Sequence, residues 1–86
     1  MLTDIKVRSA KLREKPYKLM DERGLFLLVQ PSGGRWWRFR YRYGGREKLL
    51  SLGTYPDTSL KLARQKREDA RQLLAANVDP SAQRQV

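Results

Sequence analysis

The stretch Arg35-Trp36-Trp37-Arg38-Phe39-Arg40-Tyr41-Arg42-Tyr43 decides the fold of this 86-residue chain. Its side chains alternate with the period of a β-strand, in which neighbours point to opposite faces of a sheet. Trp37, Phe39, Tyr41 and Tyr43 fall on one face. Trp36, Arg38, Arg40 and Arg42 fall on the other. An aromatic side set against an arginine side predicts a sheet packed on a core, with its open face turned to an anionic partner.

Working outward, Gly44-Gly45 forms a two-residue hairpin loop, because both glycines accept positive φ. Arg46 to Leu52 returns as the next strand. That register sets Phe39 opposite Leu50 and Trp37 opposite Leu52 on one face, with Arg38 opposite Ser51 and Arg42 opposite Glu47 on the other. Upstream, Pro31-Ser32-Gly33-Gly34 is strong turn chemistry and closes an apolar strand, Leu25 to Gln30. A one-residue slip there would flip the strand. The register with Leu25, Leu27 and Val29 on the aromatic face gives one continuous core, and it sends Phe26, Leu28 and Gln30 to the arginine face. Asp21-Glu22-Arg23-Gly24 has the Asp and Gly of a type I turn, and Tyr17 to Met20 is a short strand before it.

Downstream of the Gly53–Asp57 loop, Thr58 or Ser59 caps a helix running to about Ala76. Leu60, Ala63, Ala70, Leu73 and Leu74 recur at three- and four-residue steps and form its buried face. Arg64 and Glu68 stand at i,i+4 as a surface pair. Asn77 suits the left-handed closing residue, and Asp79-Pro80 forbids continuation. Near the start, Thr3 can cap a short helical turn. The expected architecture is α+β: a three- to four-stranded antiparallel sheet with one C-terminal helix packed on one face.

Nineteen Lys and Arg against nine Asp and Glu give a formal charge of +10, which opposes compaction and favours an anionic partner. Nucleic acid is the first candidate. A membrane surface would want a basic helix backed by large apolar residues, and no stretch is apolar enough to span a bilayer. With no cysteine and no histidine there are no disulfides, no thiol chemistry and no usual zinc site, and the commonest general base is missing. Asp21, Glu22, Asp57, Glu68 and Asp69 show no paired-carboxylate or metal-ligand spacing. No histidine base accompanies Tyr17, Tyr41, Tyr43 or Tyr55. These features predict a cytoplasmic protein that is not an enzyme, with no cofactor, no metal, no membrane partner and no small-molecule substrate.

The candidate site is therefore Arg38, Arg40 and Arg42, about 7 Å apart along one strand and able to enter a major groove. Arg35, Arg46 and Lys48 near the strand ends are expected to add backbone contacts. Surface strands also carry cations simply to avoid aggregation, but lysine serves that purpose equally well. Trp36 lies on the same face. Either it touches sugar, methyl or base, or the N-terminal segment covers it. Lys61, Lys66 and Arg71 on the helix, and the run Lys6, Arg8, Lys11, Arg13 and Lys15, are alternative phosphate contacts.

Several motifs in this order resemble one family. They are Asp21-x-x-Gly24-Leu25-x-Leu27-x-Val29-x-Pro31-Ser32-Gly33, Trp37-x-x-x-Tyr41-Arg42, Leu52-Gly53-x-Tyr55-Pro56, Ser59-Leu60-x-x-Ala63-Arg64 and Asp79-Pro80. Together they look like the N-terminal domain of prophage and genomic-island integrases of the P4 type, which are tyrosine recombinases. The resemblance implies a domain at 1–80, with 81–86 starting a linker to core-binding and catalytic domains. It also implies binding of double-stranded DNA at arm-type sites, with other integrase protomers and DNA-bending factors as partners near the nucleoid. The family's catalytic residues have no matching positions here. Asn77 replaces the usual helix-end glycine, and Leu62 stands where an acidic residue often completes a capping box. The rival reading is a protein-interaction module that assembles protomers or recruits an accessory factor; an RNA-binding module comes third.

Overall fold

Tight turns string four strands into an antiparallel meander in which every strand pairs with its neighbour in sequence. The computed structural model describes residues 1–84 and orders the sheet β1 (Tyr17–Met20), β2 (Leu25–Val29), β3 (Arg35–Tyr43) and β4 (Arg46–Thr54). A short helix α1 (Asp4–Arg8) precedes them, and α2 (Leu60–Ala75) and α3 (Pro80–Arg84) follow. This is the α+β class expected, with four strands. No helix among the described residues is long and apolar enough to cross a membrane.

The registers follow the sequence pattern with two exceptions. Gly44 and Gly45 both have positive φ, and Phe39 pairs with Leu50, Arg38 with Ser51 and Arg42 with Glu47, as expected. Leu25 pairs with Phe39 and Leu27 with Trp37, so Leu25, Leu27 and Val29 do face the core. The first exception is the β1–β2 turn. It sits one residue later than a type I turn on Asp21 would, with φ of 58° at Arg23 and 88° at Gly24 and the Leu25 N–H donating to the Glu22 carbonyl at 3.2 Å. Positive φ at both central residues matches the right-handed twist of the flanking strands, which type I does not.

The second exception is a bulge in β4. Trp37 pairs with Gly53 while Arg38 pairs with Ser51, so Leu52 is extra and the expected Trp37–Leu52 pairing is displaced by one. Gly53 has φ 122°, and a Cβ there would strike the Thr58 hydroxyl. The bulge bends the chain so that the Trp37 indole N–H donates to the Thr58 carbonyl at 2.7 Å. Leu52 nevertheless stays in the core with Leu50.

Ser59, and not Thr58, caps α2, accepting from the Leu62 N–H at 3.1 Å. The helix buries Leu60, Ala63 and Ala70 against the aromatic face of the sheet, and Leu2 and Val7 from the N-terminal segment join the same core. Each large side chain buried there contributes about 1.5–3 kcal/mol. Thr3 caps α1 as expected. Asn77 takes φ 61° beyond the end of α2.

One residue of the buried helix face departs from the apolar pattern: Arg67. It is there because of Asp21, whose carboxylate is fully buried. Arg64 grips that carboxylate with Nε and Nη2, each at 3.0 Å, Arg67 Nη1 adds a contact at 3.1 Å, and the Leu2 N–H donates at 3.0 Å. Arg64 Nη2 and Arg67 Nη1 also reach the Leu2 and Glu22 carbonyls. Three segments distant in sequence thus meet on one carboxylate. Burial alone raises its pKa, but the Arg64 hydrogen bonds, the Leu2 N–H and the Arg64 charge outweigh it and bring the value to about 2. The expected Arg64–Glu68 pair does not form. Arg64 turns to Asp21, and Glu68 is held by Arg23, Arg67 and Arg71.

Asp79 organises the other end. Its carboxylate accepts from the Tyr41 hydroxyl at 2.6 Å and the Ser81 N–H at 3.0 Å, and it pairs with Lys48. These contacts start α3, so 81–84 of the expected linker are helical, while 85–86 lie outside the described residues.

Candidate nucleic-acid interface

With α2 and the N-terminal segment on one face of the sheet, the other face is left to side chains alone. Alternation from the observed registers places Lys18 and Met20 of β1, Phe26 and Leu28 of β2, Trp36, Arg38, Arg40 and Arg42 of β3, and Glu47, Leu49 and Ser51 of β4 on it. Glu47 is the only carboxylate among these strand residues.

The face is built as two tiers. Phe26 lies on it yet is only 2% exposed. The Lys18 ammonium sits 4.9 Å from its ring centroid, and Met20 and Arg38 flank it across the ladder. The Arg38 guanidinium lies over the Trp36 ring at 5.4 Å, in cation–π range, and its Nε is buried without a hydrogen-bond partner. Phe26 and Trp36 thus form an apolar floor that holds Arg38 and Lys18 in place. Further along β3, Arg40 and Arg42 are exposed. Arg40 Nε pairs with Glu47 at 3.0 Å, diagonal to the Arg42–Glu47 pairing of the backbone. Arg42 has no ion-pair partner among the described residues.

The structure brings four of the expected site residues together: Trp36, Arg38, Arg40 and Arg42. It separates the others. Lys48 alternates to the helix side, where Asp79 holds it; that hydrogen bond raises the Lys48 pKa and lowers that of Asp79. Arg35 also lies on the helix side, donating to the Ala10 carbonyl at 3.1 Å and so pinning the segment after α1. Arg46 is exposed at the hairpin end, opposite Tyr43 and out of line with the three arginines. Trp36 is half-buried by the Gly34 turn and Arg38. The N-terminal segment does not cover it, because Leu2 and Val7 belong to the core on the opposite face.

The cations of α2 are mostly committed inward. Arg64 and Arg67 serve Asp21, Lys66 donates to the Leu52 carbonyl at 3.0 Å, and Arg71 pairs with Glu68. Lys61 remains exposed, as does the run Lys6, Arg8, Lys11, Arg13 and Lys15, in which Arg13 stacks on Tyr17 at 4.0 Å. The sheet face therefore carries a row of cations along one strand, whereas on α2 Lys61 is the exposed cation with no ion-pair partner among the described residues. Lys18, Met20 and Leu49 are members of this face that the sequence reading does not name. The same two-residue alternation applied to β1 and β4 finds them.

Residues 2–86 match the family model described as the arm DNA-binding domain. The integrase of Shigella phage Sf6 is 44% identical over 80 residues, 93% of this chain and 21% of that protein. The prophage integrase IntS of Escherichia coli (strain K12) matches with the same figures. The integrase of Enterobacteria phage P4 is 40% identical over 76 residues, 86% of this chain and 17% of that protein. The chain spans about a fifth of the length of the curated relatives it matches. The remaining four-fifths of those integrases lies outside the matched stretch.

Proposed function

The chain belongs to the arm DNA-binding domain family, and from that premise we propose that it recognises arm-type sites on double-stranded DNA with its open sheet face. The observation that carries this reading is the row Arg38, Arg40 and Arg42 on a strand fixed at both sides by neighbours. A strand pair or small sheet fits the major groove, where arginine reads guanine through O6 and N7 and neighbouring cations meet phosphates. In a full-length integrase the domain would position a tyrosine recombinase for site-specific integration, in the cytoplasm on the bacterial nucleoid. Other protomers and DNA-bending factors would share that complex. Tethering to a second DNA-binding domain would supply avidity that an isolated module lacks.

Met20 and Leu49, 54% and 51% exposed on the same face, favour a second reading in which the sheet docks on protein. A salt titration separates the two. The affinity of the chain for a duplex it has selected from a randomised pool should fall with a log–log slope of about −3, since each neutralised phosphate contributes about −0.9. Substitution Arg42→Ala should flatten that slope by about 1. A flat slope, or self-association without DNA, would instead support the interaction module.

A further inference from the structure

The Arg40–Glu47 pair does little for folding. Its side chains are 46% and 56% exposed, and ion pairs in such positions contribute about 0–1 kcal/mol. On a face that meets phosphates, a carboxylate also lowers affinity through like-charge repulsion. The pair is therefore a poor device for stability and for unselective binding. Its donors and acceptors are suited to something else. In the major groove, a G·C pair presents two acceptors, guanine N7 and O6, followed by one donor, the cytosine N4 amine. Arg40 Nε stands 3.0 Å from Glu47 Oε1 as an ion pair, and the terminal guanidinium nitrogens make no other ion pair among the described residues. Glu47 keeps a second carboxylate oxygen as an acceptor. Donor, donor, acceptor is the complement of that base-pair edge.

We propose that Arg40 and Glu47 act as one unit that reads a single G·C pair, Arg40 on the guanine and Glu47 on the cytosine amine. This rests on the sheet-face reading of DNA binding given above. The two side chains and Leu49 line a shallow concavity of the face, and Leu49 stands directly across the ladder from Arg40. Leu49, half exposed, gives the concavity an apolar wall beside the pair. The ion pair also fixes Arg40 before binding, so less side-chain freedom is lost on contact. Specificity comes from the carboxylate as much as from the arginine, because a pair without the amine leaves Glu47 desolvated and unmatched.

The test uses the 86-residue chain, its selected duplex, all single-base-pair variants of that duplex and a scrambled duplex. Glu47→Ala should lose at least about 5-fold discrimination at one G·C position and keep the others, while its affinity for the scrambled duplex rises. Glu14→Ala, an exposed carboxylate before β1, controls for net charge and should raise all affinities equally. If Glu47→Ala behaves like Glu14→Ala across the whole set, the proposal is overturned. If the unsubstituted chain shows no preference for the selected duplex, or Arg42→Ala leaves its binding unchanged, the sheet-face reading itself fails. That outcome is recognisable without any Glu47 variant.

Discussion

Replacing Asp21 by asparagine should cost about 3–5 kcal/mol of folding stability, the usual penalty for breaking a buried ion pair from one side. Asparagine keeps the shape and can still accept from Leu2, but it removes the buried charge that Arg64 and Arg67 share, leaving the 10% exposed Arg67 with Glu68 alone. For a domain of this size that is a large share of a net stability of about 5–15 kcal/mol. Urea unfolding of the two proteins measures it directly. A difference below about 1 kcal/mol would mean that the arginines find water at no cost, contrary to the structure's use of them.

The same residue sets the acid limit. The folded pKa of Asp21, about 2, lies below its ordinary value of 3.8, so the carboxylate contributes stability at every pH above about 4. That contribution, about 2 kcal/mol, is lost as the pH falls from 4 towards 2. The substitution Asp21→Asn removes this segment of the profile, so the gap between the two stability curves should narrow by about 2 kcal/mol in acid.

The second large effect concerns binding. The double substitution Arg38→Ala with Arg42→Ala should weaken duplex affinity at least about 30-fold, taking about 1 kcal/mol or more for each arginine contact. The two positions are not equivalent. Arg42 is exposed, and its removal leaves the fold intact. Arg38 covers Trp36 and flanks Phe26, so its loss also uncovers apolar surface. Thermal melting of each single variant separates the contributions: Arg42→Ala should melt with the parent, and any loss of affinity there belongs to DNA contact alone. Retained affinity in the double variant would move the interface off the sheet.

Most of the fold was legible because one period governs β3 and two glycines set its hairpin. Aromatic residues at 37, 39 and 41 alternate with arginines, and the tight loop transmits that alternation to Leu50 and Ser51. The bulge at Leu52 was not legible, because it arises from a contact between Gly53 and Thr58 across a loop, which no local periodicity encodes. Arg67 on the buried helix face was hidden for a related reason. Its warrant is a carboxylate 46 residues away, and the pattern of apolar residues treats it only as a gap. Arg64 was misread because i,i+4 spacing permits a pair with Glu68 without requiring one; the desolvated Asp21 offers the stronger partner.

For the interface, strand parity already placed Trp36, Arg38, Arg40 and Arg42 together. Carried into β4, the same parity sends Lys48 to the side of Leu50, so its separation from the arginines was available in principle. Arg35 also follows Trp37 by parity, and only the N-terminal segment it pins was beyond reach. Packing of Phe26 beneath Lys18 was not accessible, because it needs the register of β1 on β2.

The central claim is that the sheet, and not the helix, meets DNA. Amide chemical shifts of the chain, followed as the selected duplex is added, test it most directly. Changes should concentrate in residues 35–51, with the largest at Arg38, Arg40, Arg42 and Glu47. Changes confined to residues 60–75, with β3 and β4 unmoved, would contradict it.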